Sequence, residues 1–144
     1  MTENMKIKIK VEATVDLKAK LVWDLWNTPQ HVMQWNSASP DWHTPKAENN
    51  LKKGGRFLYR MEARDGSFGF DFEGTYDQII DHEKIEYTLD DGRKVIITFR
   101  EKNGRTHIEE EFEAEGTNPI EMQKNGWQAI LNNFKGYAEK TGKK

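Results

Sequence analysis

The sequence contains no cysteine, which excludes disulfide bonds, thiolate metal sites and cysteine nucleophiles and is typical of proteins in a reducing cytosol. It also lacks any apolar run close to the roughly 18 residues that span a membrane. Within the first ten residues, positions 6–10 alternate lysine with isoleucine, and no apolar core of a signal peptide is present. We therefore expect no membrane span and a cytoplasmic location.

Standard catalytic and nucleotide-binding motifs are absent as well. No GxGxxG loop follows a predicted strand, and neither a Walker A sequence nor a GxSxG nucleophile elbow occurs. The four histidines lie on different predicted elements and show no HExxH spacing. We expect no metal site and no cofactor.

The composition is that of a folded protein without a large excess of either charge. The 144 residues are 35% hydrophobic and 11% aromatic, and the formal net charge is −2. These amounts fit one compact domain over residues 1–144. The charge balance gives no electrostatic footprint for nucleic acid, so we expect no nucleic-acid partner. We also expect a monomer or a homodimer.

The first part of the chain predicts one strand and two short helices. Apolar and polar residues alternate over Lys6–Val15, which is typical of a strand with one buried face. Asp16 is positioned to cap a helix over Leu17–Asn27. The Thr-Pro pair at 28–29 predicts a second helix to about Trp35, because proline is favoured at the first helical position.

A long loop is predicted over Asn36–Gly55, which contains two prolines and a Gly-Gly pair but no sustained periodicity. Long ordered loops are often functional. Trp35, Trp42 and His43 lie in or beside this loop, where they would either close a cavity mouth as a lid or pin the loop to the domain. His43 is also a candidate acid or base.

Three tight-turn pairs follow this loop, Asp-Gly at 65–66 and 91–92 and Asn-Gly at 103–104. Each pair predicts a hairpin, because glycine tolerates the positive φ that two-residue hairpin turns require. The turns delimit five strands of an antiparallel meander: Arg56–Arg64, Ser67–Ile80, Lys84–Leu89, Arg93–Glu101 and Arg105–Glu115.

The carboxy-terminal segment predicts one long amphipathic helix. Asn118 and Glu121, with a proline between them, form a capping-box arrangement at its start, and an apolar stripe follows. Gly126 and Gly136 lie beside the stripe, where we expect close packing. The element order predicts an α+β fold in which a curved antiparallel sheet wraps around this helix, with a cavity between them.

Four stretches carry a family resemblance: residues 28–35, 54–57, 72–76 and 125–134, which read TPQHVMQW, GGRF, FEGTY and NGWQAILNNF. In this order the chain resembles the activator of 90-kDa heat-shock-protein ATPase homologue-like family, within the START-related (SRPBCC) helix-grip superfamily. The resemblance implies a helix-grip fold and an internal cavity for an apolar or lipid-like small molecule. The family name also implies a possible chaperone contact.

The predicted ligand site is rich in aromatic residues. Their large rings line apolar pockets, while tyrosine hydroxyls and the tryptophan N–H give directional bonds; ordinary core packing is the alternative interpretation. The candidate ligand-binding residues are Trp35, Trp42, Phe57, Tyr59, Met61, Phe70, Phe72, Tyr76, Tyr87, Phe99, Glu110, Phe112, Trp127, Ile130 and Phe134.

Glu110 is the one acidic candidate. It shares a strand face with Ile108 and Phe112, so it is predicted to point inward. An inward carboxylate is costly unless it is paired, hydrated or neutralised. It would orient a ligand hydroxyl or act as a general base. Alternatively, a bulge or strand end lets it reach water, or it pairs with an arginine such as Arg60.

Three functions follow from these observations. The leading hypothesis is sequestration or sensing of an apolar or amphipathic small molecule in the cavity between helix and sheet. The second is regulation of a heat-shock-protein ATPase through protein–protein contact. The third is a cavity enzyme in which Glu110, Tyr59, Tyr87 or His43 transfers a proton.

Overall fold

A computed structural model describes residues 7–143, so Lys6, at the start of the first predicted strand, lies outside the described residues. The elements in chain order are β1 (Lys8–Val15), α1 (Ala19–Asn27), α2 (Pro29–Trp35), β2 (Trp42–Asn49), β3 (Arg56–Ala63), β4 (Gly69–Ile80), β5 (Lys84–Leu89), β6 (Lys94–Lys102), β7 (Arg105–Glu113) and α3 (Ile120–Gly142). This order confirms the predicted α+β class, with two short helices after the first strand and one long helix at the end.

The seven strands form one antiparallel sheet in the order β1-β7-β6-β5-β4-β3-β2. Strands β2 to β7 are a continuous meander, and β1 pairs with β7 so that Val11 lies opposite Glu110. The register shifts between His43 and Lys46 on β2 and between Tyr76 and Gln78 on β4. Such irregularities increase local twist, which helps the sheet to curl into a half-barrel around α3. The fold is the predicted helix-grip fold.

The core lies between the concave face of the sheet and the helices. Leu131, Phe134 and Ala138 of α3 are fully buried, and they meet Trp26 and Val22 of α1 within one apolar cluster. The same cluster contains inward apolar residues of β1 and of every strand from β3 to β7. Within residues 7–143, no helix is both long enough and apolar enough to cross a membrane.

The three predicted hairpin turns are confirmed. Gly66, Gly92 and Gly104 have φ values of 77°, 97° and 76°, and Asn103 also has a positive φ of 55°. The remaining turn, between β4 and β5, contains His82 with φ 67°. Each turn therefore adopts the left-handed backbone that glycine and asparagine tolerate best.

The interpretation of Asn36–Gly55 as a loop throughout is wrong, because strand β2 occupies Trp42–Asn49. Among the described strands it lies at the edge of the sheet, where its one partner is β3. Pro45 falls within its register shift, where the missing N–H removes no ladder hydrogen bond. The sequence pattern therefore lacked the regular alternation of a half-buried strand.

Two predicted helix caps are also wrong. Helix α1 begins at Ala19 after Lys18, and the Asp16 carboxylate instead accepts a hydrogen bond from Lys143 Nζ at 2.6 Å. Helix α3 begins after Pro119 without a side-chain cap. The Asn118 side chain and backbone N–H instead donate to the Glu115 carboxylate at 2.6 and 2.8 Å. The Thr-Pro start of α2 is confirmed in position, although the Thr28 hydroxyl makes no cap bond.

The expected close packing of two glycines on α3 is wrong. Within residues 7–143, a Cβ atom added at Gly126 or Gly136 would meet no atom within 4 Å apart from its chain neighbours and the adjacent backbone of α3. Close approach occurs instead at Gly74 on β4, where an added Cβ would lie 2.5 Å from the Thr88 carbonyl oxygen and 3.1 Å from the Phe57 ring. Glycine is required there because the sheet backbone and an aromatic ring leave no room.

Candidate ligand-binding cavity

A cavity of about 150 Å³ lies between α3 and the concave face of the sheet, and α1 and α2 contribute part of its wall. Its lining is mainly aromatic and aliphatic, with few polar groups. The lining residues are Trp26, Asn27, Trp35, Asn36, Phe57, Tyr59, Met61, Phe70, Phe72, Tyr76, Ile85, Tyr87, Ile97, Glu110, Trp127 and Ile130. A concave apolar wall with a few polar groups is the usual form of a small-molecule site.

The structure brings most of the predicted site residues together at this cavity. Strands β3, β4 and β5 supply their inward aromatic residues, β7 supplies the carboxyl group, and α2 and α3 supply the rest. The predicted residues that line it are Trp35, Phe57, Tyr59, Met61, Phe70, Phe72, Tyr76, Tyr87, Glu110, Trp127 and Ile130.

Four predicted residues lie outside the lining. Phe134 packs between Trp26 and Trp35, with ring centroids 4.8 and 4.9 Å away, and Phe99 packs against the Trp23 ring at 5.3 Å. Phe112 lies behind Trp127, and Trp42 packs against the Phe68 and Phe70 rings on the β3–β4 hairpin. Phe99, Phe112 and Phe134 therefore belong to the buried core behind the cavity wall, whereas Trp42 is partly exposed and lies beside the wall.

Five lining residues were not among the predicted ones: Trp26, Asn27, Asn36, Ile85 and Ile97. A signal for two of them was present in the sequence, because Ile85 and Ile97 lie at the period-two spacing of the inward residues on β5 and β6, although Ile96 interrupts the polar alternation on β6. The register places these two directly opposite each other on the concave face. The other three lie at the ends of α1 and α2, where the sequence pattern does not fix which way a side chain points.

Trp127 joins the helix wall of the cavity to its sheet wall. Its ring is stacked on Phe112, with a centroid separation of 3.8 Å and 12° between the planes. The Phe72 ring meets the same indole edge-on at 6.0 Å and 71°. Contacts of both kinds stabilise ring pairs beyond the area that they bury. The indole is therefore fixed between two strands of the sheet.

Trp35 is held in place as part of the wall. Its indole N–H donates to the Leu25 carbonyl oxygen at 3.0 Å, and its own carbonyl oxygen accepts a hydrogen bond from Asn133 Nδ2 at 2.7 Å. These bonds tie α2 to α1 and to α3. Of the two roles considered for this residue, the contacts favour pinning over a lid.

His43 lies on β2 outside the cavity lining. Its Nε2 atom is 3.9 Å from the Glu62 Oε1 atom, and both side chains are partly exposed. The geometry therefore gives His43 no access to a molecule in the cavity.

Glu110 faces the cavity from the middle of β7. Its register is regular, opposite Val11 on one side and Ile97 on the other, so the alternative of a bulge or strand end is wrong. The alternative of a pair with Arg60 is also wrong, because that guanidinium binds Glu62 and Asp71. Glu110 is 5% exposed, which confirms its inward direction.

The Glu110 carboxyl group has no protein partner within residues 7–143: neither a hydrogen bond nor an ion pair joins it to another side chain or to the backbone in that range. Every fully enclosed side-chain nitrogen or oxygen of those residues does have a hydrogen-bond partner. The Glu110 oxygens therefore reach the cavity space. Burial raises the pKa of this carboxyl group to about 8, so at neutral pH it is mainly the uncharged acid.

Three tyrosines share the cavity with Glu110. Burial raises the pKa values of Tyr59 and Tyr76, and burial followed by the charge of Glu110 raises that of Tyr87. All three side chains are therefore neutral phenols over the range in which proteins are stable. Asn49 Nδ2 donates to the Tyr59 hydroxyl at 3.5 Å.

A second group of titratable residues lies on the outer face of the sheet, where Glu12, His107 and Glu109 have possible metal-ligating atoms within 4.8 Å of one another. His107 Nε2 is 2.8 Å from Glu12 Oε1 and 3.5 Å from Glu109 Oε2, and His107 Nδ1 is 2.9 Å from the Thr14 hydroxyl. Cross-strand pairing of β1 with β7, invisible in the linear sequence, brings them together. Their mutual bonds make them a polar cross-strand cluster.

Comparison with known proteins identifies the family. The profile of the family described as activator of Hsp90 ATPase homolog 1-like protein matches residues 16–139. The chain belongs to this family. The match confirms the resemblance seen in the sequence, and it spans the elements that build the cavity from α1 to most of α3.

Solved structures agree with this membership. The solution structure of an AHSA1-like protein from Aeromonas hydrophila is 41% identical, with 96% of each chain covered and a TM-score of 0.89. A solution structure from Cytophaga hutchinsonii is 51% identical, covering 96% of this chain and 94% of that one with a TM-score of 0.79. A Nitrosomonas europaea crystal structure is 13% identical, with a TM-score of 0.81 and 96% and 97% coverage, and it shows the fold alone. No protein with a curated description matches the chain significantly.

Proposed function

We propose that this protein binds an apolar or amphipathic small molecule in the cavity between α3 and the sheet. The observation that carries the proposal is an aromatic cavity containing a carboxyl group that no described residue satisfies. Burying a polar group without a partner costs free energy. A ligand with a matching polar group removes that cost, and its apolar part gains from leaving water.

The size of the cavity limits the ligand. A volume of about 150 Å³ equals that of an engineered apolar cavity in another protein that takes up benzene. It lies below the roughly 300–1,000 Å³ of pockets for drug-sized ligands. We therefore expect a single ring or a short branched chain to fit the cavity as it stands, and a larger lipid-like molecule to require movement of α3 away from the sheet.

Ligand binding is tested by calorimetry and thermal unfolding with a panel of single-ring and short-chain amphipathic compounds. Ile130→Phe fills the cavity from α3, so we expect it to abolish binding. The matched control is Ile120→Phe, which makes the same change on the same helix at an exposed position outside the lining. Binding that Ile130→Phe leaves unchanged would place the ligand elsewhere.

Proton transfer by Glu110 is a second candidate function. A pKa of about 8 is close to the value at which a carboxyl group serves as both acid and base near neutral pH. A screen for turnover of bound ligands tests this candidate. Turnover that persists in Glu110→Gln would exclude Glu110 from the chemistry.

Regulation of a chaperone ATPase is the function that the family description suggests. It requires an exposed protein-binding surface instead of an internal cavity. The test is the ATPase rate of a 90-kDa heat-shock protein with and without this protein, together with direct binding. An unchanged rate and no binding would exclude the role. A cytoplasmic location, which the absence of cysteine favours, is compatible with all three candidates.

A further inference from the structure

We propose that the cavity selects ligands that carry a positively charged ammonium group, with the Glu110 carboxylate as the counter-ion. This inference rests on the proposed function, because it names the chemical class that the same cavity would bind. It rests on the charges and the aromatic rings of the residues that line the cavity.

The charges of the cavity wall favour a cation. Glu110 is the only acidic side chain among the described lining residues, and none of them is basic. The groups that face the cavity with it are the phenols of Tyr59, Tyr76 and Tyr87 on β3, β4 and β5, and the amides of Asn27 and Asn36 at the ends of α1 and α2. Val11 and Ile97 flank it on β1 and β6, and α3 contributes Trp127 and Ile130.

Arg60 and Arg93, whose charge acts on Tyr87 of the wall, are both paired with carboxylates. Arg60 donates to Glu62 and Asp71, and the Arg93 side chain donates to Asp91 at 2.9 Å. An anionic ligand would therefore meet a carboxyl group and, among the described lining residues, no basic side chain. A cation would meet the one group that can neutralise it, and a buried charge is tolerated when it is paired in this way.

The aromatic rings of the wall also favour a cation. Phe57 lies 4.7 Å from Tyr87 at 67° and 5.9 Å from Phe72 at 48°. The rings are therefore inclined to one another, and they enclose the cavity from several directions instead of forming one stack. The face of an aromatic ring is electron-rich and attracts cations, and cages of such rings bind quaternary ammonium groups.

The size of the cavity suits the head of such a ligand. A trimethylammonium group or a single small ring fits a volume of about 150 Å³. Choline and its neutral carbon analogue 3,3-dimethyl-1-butanol have nearly the same shape and differ in charge. They are therefore a matched pair of probes for the charge preference of the cavity.

The protonation state of Glu110 gives the test a second readout. Because its pKa is about 8 in the empty cavity, a permanent cation must release a proton from Glu110 when it binds at neutral pH. Choline affinity should then rise about tenfold per pH unit up to about pH 8 and level off above it. A neutral ligand that accepts a hydrogen bond from the acid form would show constant affinity below about pH 8 and a loss above it.

The experiment is calorimetric titration of the wild-type protein with choline and with 3,3-dimethyl-1-butanol at about pH 6 and about pH 9. We expect choline to bind at least about tenfold more tightly than the alcohol at the higher pH, and to release a proton at the lower one. Glu110→Gln should remove the preference for choline while leaving the alcohol bound. Glu111→Gln, a partly buried position on the opposite face of β7, should change neither.

The outcomes separate the inference from the proposed function. Equal binding of the two probes, tighter binding of the alcohol, or choline affinity that is independent of pH would overturn the ammonium preference while leaving the cavity as a ligand site. Failure of both probes would also overturn it, and the panel of neutral amphipathic compounds would then decide on the proposed function. If Glu110→Gln does not fold, the pH dependence of the wild-type protein decides the question alone.

Discussion

Trp127 of α3 lies flat against Phe112 of β7, with ring centroids 3.8 Å apart and 12° between the planes. Phe112 is two residues from Glu110 on the same face of the same strand. The stack therefore fixes α3 to the strand that carries the buried carboxyl group. One face of the Phe112 ring supports the indole that forms part of the cavity wall.

Removing the Phe112 ring should destabilise the fold strongly. Phe112 is 1% exposed, and truncation of a buried phenylalanine to alanine costs roughly 3–5 kcal/mol of unfolding free energy. We expect Phe112→Ala to fall in this range in chemical denaturation. Phe68→Ala is the control, because Phe68 is 63% exposed and should change stability by no more than about 0.5 kcal/mol. Similar losses in the two variants would show that the stack does not anchor α3.

Two glycine substitutions should have opposite effects on stability. Gly74→Ala places a methyl group 2.5 Å from the Thr88 carbonyl oxygen, so the backbone must shift, and we expect a loss of about 1–3 kcal/mol. Gly126→Ala adds a methyl group to α3 in open space and should stabilise the protein by roughly 0.5–1 kcal/mol through helix propensity. Thermal unfolding of both variants measures the difference. A stable Gly74→Ala variant would contradict the close approach of β4 to β5.

Replacement of Glu110 should change how stability depends on pH. The folded state holds the Glu110 proton more tightly than the unfolded state, because burial raises its pKa from the ordinary value of 4.5 to about 8. Its favourable contribution is therefore complete below about pH 4.5 and is lost as pH rises towards 8, by about 1.4 kcal/mol per unit. Glu110→Gln removes this titration, so the variant should gain stability relative to the wild type across that interval.

Urea denaturation of both proteins at several pH values measures this difference, and all other titrating groups cancel in the comparison. Glu111→Gln serves as the control, and its stability relative to the wild type should not follow the same rise. A constant difference between Glu110→Gln and the wild type from about pH 5 to pH 8 would show that Glu110 has an ordinary pKa and reaches water.

The sequence predicts the meander well because its signals are local. An Asp-Gly or Asn-Gly pair fixes a turn by its own backbone preference, and alternation on either side fixes the strands. Strand β2 could not be found in this way, because it is an edge strand with Pro45 inside a register shift. It is held by pairing with β3, which is a tertiary relationship.

Helix starts illustrate the same limit. The segment around Asn118 has the residues of a capping box, yet Glu115 accepts both its backbone and its side-chain hydrogen bonds. The Glu115 backbone N–H in turn donates to Gln123 Oε1 at 2.9 Å. Spacing alone does not show which of several nearby acceptors takes a donor, because that choice depends on how the chain leaves β7.

For the candidate site, the sequence predicts which strand residues point inward. Alternation on β7 correctly places Glu110 inward. It also places Phe112 inward, and alternation on β6 places Phe99 inward, but these two rings pack behind the cavity wall. Whether an inward residue lines a cavity or fills the core depends on the curl of the sheet and the position of α3. The alternation pattern of a single strand determines neither the curl of the sheet nor the position of α3.

The proposed function requires that the cavity holds a small molecule. The most direct measurement is native mass spectrometry of the protein purified gently from its own source, followed by release and identification of anything bound. We expect one small ligand per chain, which is absent from Ile130→Phe prepared in the same way and retained by Ile120→Phe. A protein that is empty, and that also binds neither choline nor any compound of the neutral amphipathic panel, would contradict ligand binding in the cavity.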